Sequence, residues 1–190
     1  MGRLIYSLNV SLDGFVETPG HSLAWANVDD ELHTWFNDQA LELAASLYGR
    51  RMYELMSSYW PHAQLDPDAT EPMRDFARIW AATPRIVFSS TLDSVDFNSR
   101  LVRGDVATEL QRARAEFDGD MDVGGATLAA SFIRRGLVDE YRLLVHPVVL
   151  GAGTRFFPEV ESPISLRRAA MKRFGSGVVY VGYERVEDPI

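Results

Sequence analysis

Apolar and polar positions along the chain switch between two periods. Leu4 to Val10 is a short apolar run interrupted by Asn9 and closed by Ser11-Leu12-Asp13-Gly14, the pattern of a strand entering a turn. From Asp29 to Ala44, Leu32, Trp35, Phe36, Ala40 and Leu43 recur with helical spacing. Asn27 is placed to cap this helix, and Asp29, Asp30 and Glu31 suit its positive end. Ala45 to Tyr48 reads as a strand leading into Gly49, followed by a helix from Arg51 to Ser58 that stops before Trp60-Pro61. The polar segment Gln64 to Pro72, with two prolines, is expected to be a loop.

Met73 to Ala82 is helical in pattern, and Pro84 opens the buried strand Arg85-Ile86-Val87-Phe88. Asp105 to Phe117 is an amphipathic helix, with Val106, Leu110 and Ala113 on its inner face. Met121-Asp122-Val123 is a minimal strand ended by Gly124-Gly125. The helix Ala126 to Arg135 then leads to Gly136, where a left-handed cap is expected. Past Gly136 the character changes. Val138 to Leu150 is nearly all apolar, as in a strand covered on both faces, and two strand-like runs follow near Ile164 to Phe174 and Gly177 to Val186. Strand and helix alternate over the first two-thirds, and the last third reads as a meander. Such a chain forms an α/β mixed sheet, parallel at first with antiparallel C-terminal strands, and helices on both faces. No repeat or linker divides it, so residues 1–190 are expected to be one domain.

Composition narrows the possibilities. A hydrophobic fraction of 46% and a charged fraction of 24% are those of a globular protein. With no cysteine, disulfides, thiolate metal sites and thiol catalysis are excluded. His21, His33, His62 and His146 have no metal-ligand spacing, so no metal is expected. A net charge of −8 disfavours nucleic acid, whereas a small anionic cofactor needs only a few local cations. No apolar run is long enough to span a membrane, and the N-terminus reads as a first strand and not a signal peptide. A cytoplasmic protein acting on a small molecule is the expectation.

Two places share one local design of apolar strand, glycine turn and helix: Leu47-Tyr48-Gly49-Arg50-Arg51-Met52-Tyr53-Glu54 and Asp122-Val123-Gly124-Gly125-Ala126-Thr127. Glycine lets the backbone approach a ligand, and the helix that follows presents free N–H groups with partial positive charge. Two such helix starts on one cleft would suit a pyrophosphate, although each glycine alone equally makes a tight turn. Phe88-Ser89-Ser90-Thr91 sets three hydroxyls beyond a strand end, where open α/β sheets collect ligands. With Arg50 or Arg51 they are suited to an extra phosphate, and without it they are a solvated turn.

The order of these motifs resembles the dihydrofolate reductase superfamily: Ser11-Leu12-Asp13-Gly14, then Gly49-Arg50-x-x-Tyr53-Glu54, Ser89-Ser90 and Gly124-Gly125-Ala126. Val138-Asp139-Glu140-Tyr141-Arg142 through His146-Pro147-Val148-Val149-Leu150-Gly151-Ala152-Gly153 is similar, more closely, to the reductase domain of the bifunctional deaminase–reductase of riboflavin biosynthesis, here without a deaminase segment. The resemblance covers essentially the whole chain. It implies a dihydrofolate reductase-like fold, NADPH as cofactor and pairing as a homodimer. It places Gly49, Arg50 and Arg51 at the pyrophosphate and adenosine end, and Ser89 and Ser90 at the 2′-phosphate. Gly124, Gly125, Ala126 and Thr127 come to the pyrophosphate from the other helix, and Asp13 and Gly14 border the nicotinamide and substrate. Met52 departs from the family, which often has threonine there.

The proton donor is open. Dihydrofolate reductases take a carboxylate from their first helix, before an aromatic pair resembling Trp35-Phe36. On that alignment the position falls on Leu32, with Asp13, Asp30 and Glu31 as the nearby acids, which equally serve the helix dipole or a turn. Trp35 is a candidate wall of the substrate cleft, and its spacing equally fits the core. His146 is expected to be a core histidine. The implied activity is NADPH-dependent reduction of a small heterocyclic or carbonyl compound. The alternative is a nucleotide-binding or regulatory protein on the same fold. The apolar run Val178 to Tyr183 is expected inside the sheet or covered by a second copy.

Overall fold

Leu4, Tyr6 and Val10 project from one side of the first strand and are almost inaccessible, as the alternation of a half-apolar strand requires. In chain order the elements are β1 (Leu4–Ser11), β2 (Phe15–Glu17), α1 (Asp30–Leu41), β3 (Ala45–Gly49), α2 (Arg50–Tyr59), a 3-10 helix (Trp60–Leu65), α3 (Glu71–Ala82), β4 (Arg85–Phe88), β5 (Ser99–Val102), α4 (Val106–Glu116), β6 (Met121–Gly124), α5 (Ala126–Arg134), β7 (Glu140–His146), β8 (Thr154–Arg155), β9 (Leu166–Arg173) and β10 (Val179–Arg185). The computed structural model describes residues 2–186.

Eight strands form one sheet in the order β5-β4-β3-β6-β1-β7-β10-β9, and β2 pairs with β8 in a separate ribbon. Every pair from β5 to β7 is parallel, and β10 pairs antiparallel with β7 and with β9. The expected mixed sheet is therefore present. The main core fills one face, where Leu47, Met121 and Val123 meet Leu110 of α4 and Phe132 of α5. Two smaller clusters fill the other: Tyr48, Tyr53 and Val87 beside α2, and Leu32, Leu144, Phe174 and Tyr180 beside α1.

Several details differ from the sequence reading. Asp29, not Asn27, caps α1, accepting from the Leu32 amide at 2.9 Å. That helix ends at Leu41, because the Ala44 amide already donates to Asp120 O and pulls the chain into the sheet. The segment after Trp60 is a 3-10 helix containing Pro61, and Pro72 sits in the first turn of α3, where its missing N–H costs nothing. The last third is not a meander, since β10 inserts between β7 and β9. The run Val178 to Tyr183 is thus flanked on both edges by its own chain, and it offers no open edge to a second copy.

One buried cation organises the far edge. The Arg85 guanidinium lies 3.8 Å from the centre of the Trp80 ring and donates to the carbonyls of Trp80, Thr83 and Phe97. This holds the loop into β5, where Phe97 and Asn98 take positive φ.

Candidate active site

A cavity of about 460 Å³ opens where β1, β3, β4 and β6 end. All four strands are parallel, so their carboxyl ends and the turns that follow lie together. Gly49 ends β3 and is the N-cap of α2, and Gly125 follows β6 and is the N-cap of α5. Neither cap has a side chain to bond the first turn, so the amides of both helix starts are unclaimed by side chains. Gly49, Arg50, Gly124, Gly125, Ala126 and Thr127 all line this cavity, as does Arg51. The two glycine designs do converge.

The two glycines of the second turn have different reasons. At Gly125 φ is +94°, which side chains resist. At Gly124 a Cβ would stand 2.8 Å from the Tyr48 ring and 3.1 Å from Met52 Cγ. Tight packing between neighbouring strands and α2, and not ligand approach, requires that glycine. Met52 thus fills the space between the two helix starts with an apolar side chain.

The arginines have separate employment. Arg51 donates to Glu17 Oε2 at 2.7 Å, while Arg50 has only a 3.4 Å contact with Glu54. Glu17, which the sequence reading did not single out, is a nearly buried carboxylate on the cavity wall. Its Oε1 accepts from Thr154 Oγ1 at 2.6 Å and meets His21 Nδ1 at 2.9 Å. Although burial disfavours its charge, the hydrogen bonds from Arg51, Thr154 and His21 outweigh it and bring its pKa down to about 2.

Other expected residues fall elsewhere. Asp13 accepts from Ser11 Oγ at 2.7 Å and from the Leu150 and Gly151 amides at 3.1 and 2.7 Å. The Ser11 bond chiefly lowers its pKa to about 2, so this acid clips two turns together and does not hold a transferable proton near neutrality. Gly14 takes φ +89° in that turn and does not line the cavity. Asp30 is exposed, and Glu31 accepts from the Gly175 amide at 2.9 Å, tying α1 to the loop before β10. Trp35 packs against Phe174 and Tyr180 in the α1 cluster and is a core residue, not a cavity wall. Ser89 and Ser90 lie just beyond Phe88, which does line the cavity. Ser89 Oγ accepts from the Thr91 and Leu92 amides and lies 3.4 Å from Thr91 Oγ1, the two hydroxyls sharing one hydrogen bond.

The β1 end of the cavity carries Leu8, Asn9 and Val16, with Leu23, Trp25 and Ala26 from the loop before α1. Asn9 Oδ1 sits 2.9 Å from His146 Nε2, and burial lowers the pKa of that imidazole and keeps it neutral. The Trp25 ring meets His146 edge-on at 5.4 Å. Among the described residues no cluster of three or more His, Asp or Glu could hold a metal, and no helix is long and apolar enough to cross a membrane.

The RibD C-terminal domain pattern matches residues 3–180. The chain belongs to this family. It is 34% identical over 182 residues to the uncharacterized protein YyaP of Bacillus subtilis (strain 168), covering 95% of this chain and 94% of that one. In fold it is similar to a Shewanella sp. PV-4 protein named for riboflavin biosynthesis, with a TM-score of 0.76, 21% identity, and 98% and 100% of the two chains covered. It is likewise similar to the dihydrofolate reductase of Enterococcus faecalis complexed with NADP(H), with a TM-score of 0.65, 18% identity and 98% of each chain covered. Membership in this family makes the chain reductase-like, with a dihydrofolate reductase-like fold.

Proposed function

We propose that the chain is an NADPH-dependent oxidoreductase acting on a small, planar heterocyclic or carbonyl compound. The observation that carries this is the convergence of two uncapped helix starts, at Gly49 and Gly125, on one cavity beyond the parallel strand ends. Their amides and Gly124 to Thr127 would hold a pyrophosphate. Arg50, held only by a 3.4 Å ion pair with the exposed Glu54, with the Ser89 and Ser90 hydroxyls beside the cavity edge, would take the 2′-phosphate. Bound there, the nicotinamide would supply a hydride. The chain's own residues would position a flat substrate and exclude water. Since Asp13 and Glu17 are both held ionised, the proton for the substrate's heteroatom would come from solvent. An NADPH-consuming reductase without cysteines suits the cytoplasm. Homodimer formation rests on the family resemblance.

Calorimetry with NADPH and NADH tests this, with tighter binding of NADPH expected. Equal affinities would remove the phosphate assignment. A second reading, a nucleotide-binding protein without turnover, is favoured by the lack of an unpaired acid on the cavity wall. Acceptor-dependent loss of NADPH absorbance decides against it.

A further inference from the structure

The cavity runs across four neighbouring strands, from Phe88 on β4 to Asn9 on β1. Three strand spacings separate them, about 14 Å. The helix starts occupy the β3–β6 part, which leaves the β1 end for a second molecule if the first is a dinucleotide. That end is mainly apolar, from Leu8, Val16, Leu23 and Trp25. Only two cations line the cavity among the described residues: Arg50 belongs to the first helix start, and Arg51 is neutralised by Glu17. Nothing at the β1 end would balance a phosphate or sulfonate.

The polar groups there are the Asn9 amide and the Trp25 indole nitrogen, which is buried with no partner among the described residues. Neutral His146 donates from Nε2 to Asn9 Oδ1, which fixes the amide and leaves Asn9 Nδ2 with no protein partner among the described residues. From this we infer that Asn9 determines substrate specificity: its Nδ2 donates to a ring carbonyl of an uncharged, planar, unphosphorylated compound, and His146 positions it. The inference rests on the reductase reading and names that reductase's substrate class. With NADPH bound, the cofactor would supply a hydride to the electron-poor end of the conjugated carbonyl system and leave as NADP+, while a solvent proton would join the oxygen.

The probes are 1,4-naphthoquinone and its anionic relative 1,4-naphthoquinone-2-sulfonate, since the chain has no cysteine for a quinone to alkylate. Calorimetry of each against the protein, alone and with saturating NADPH, is compared with separate NADPH titrations. The neutral quinone should bind at least tenfold more tightly than the sulfonate. Asn9→Leu should weaken it about tenfold while leaving NADPH affinity unchanged. His146→Phe should copy that loss, and His146→Gln, which keeps a donor, should restore most of it. Failure of the neutral quinone to bind, equal binding of the two probes, or an unchanged Asn9→Leu variant overturns the inference. Absence of NADPH binding with the quinone results intact overturns only the cofactor reading.

Discussion

Arg51 and Glu17, 34 residues apart in sequence, meet at 2.7 Å on the cavity wall, whereas the adjacent Arg50 has only a 3.4 Å contact with the exposed Glu54. Two neighbouring arginines at one helix start therefore do different work. Arg50→Ala should weaken NADPH binding by about 1.5–3 kcal/mol and leave the melting temperature unchanged. Arg51→Ala should instead cost about 1–2 kcal/mol of stability, because Glu17 loses its main partner. The cost stays modest because the Arg51 side chain is half exposed. Calorimetric titration and thermal unfolding of both variants separate the roles, and a reversed pattern would exchange the assignments.

The Glu17 cluster also sets an acid limit. Its folded pKa of about 2 lies below the ordinary 4.5, so the stability it confers is complete above pH 4.5 and is lost as pH falls toward 2. Glu17→Gln should flatten the stability profile between those values. An unchanged acid limb would show that other carboxylates dominate it.

Asp122 has the opposite sign. Burial pushes its carboxyl up to about 6, and its Oδ1 has no partner among the described residues. Charging it costs nothing below about pH 3.8, progressively more up to 6, and the full amount above. Asp122→Asn should stabilise the protein by up to about 3 kcal/mol at pH 8 and by little at pH 4. Denaturant melts at both values test this, and equal effects would contradict the buried charge.

Much of this organisation was legible in the sequence. Helix α5 and its stop were readable because Gly136, at φ +64°, returns its amide to Ile133 O as a left-handed cap should. The two glycine turns were readable because strand, glycine and helix are contiguous. What failed was nonlocal. The place of β10 between β7 and β9 depends on pairings across the sheet, and β5, four half-exposed residues, has no alternation to detect. Glu17 was missed because, apart from His21 four residues on, its partners Arg51 and Thr154 come from distant segments. Asn9 did leave one, a polar residue interrupting an apolar strand. Trp35 misled because the same helical spacing serves a core and a cleft.

Gly125→Val should reduce NADPH affinity more than tenfold. A β-branched residue at φ +94° is strained by about 1–3 kcal/mol and stands where a pyrophosphate would approach the α5 amides. Far-UV circular dichroism should stay native, because a Cβ there meets Met52 Cβ only at 3.4 Å. Normal cofactor binding would remove this turn from the cradle.

Dihydrofolate should not be turned over. Leu32 is fully buried against the sheet, Asp30 is exposed and Glu31 is bonded to the Gly175 amide, so α1 presents no acid to a pteridine. Robust dihydrofolate reduction by the purified protein would overturn the alignment on Trp35-Phe36.

β9 is one of the two edges of the sheet, β5 being the other, and it carries Arg167, Arg168, Lys172 and Arg173 on exposed positions. A two-fold pairing of β9 with its copy would bring these cations into register, where like charges facing one another are destabilising. Charged side chains are also a usual means of keeping an edge strand from pairing with others. Any dimer should therefore use another surface, since β10, the apolar candidate, is already enclosed between β7 and β9. Replacing Arg168 and Lys172 by Thr removes two of these charges and raises strand propensity. Light scattering at micromolar concentration should then show larger species than the wild type, increasing with concentration. If the double variant keeps the wild-type mass at every concentration, the charges on β9 are not what guards the edge.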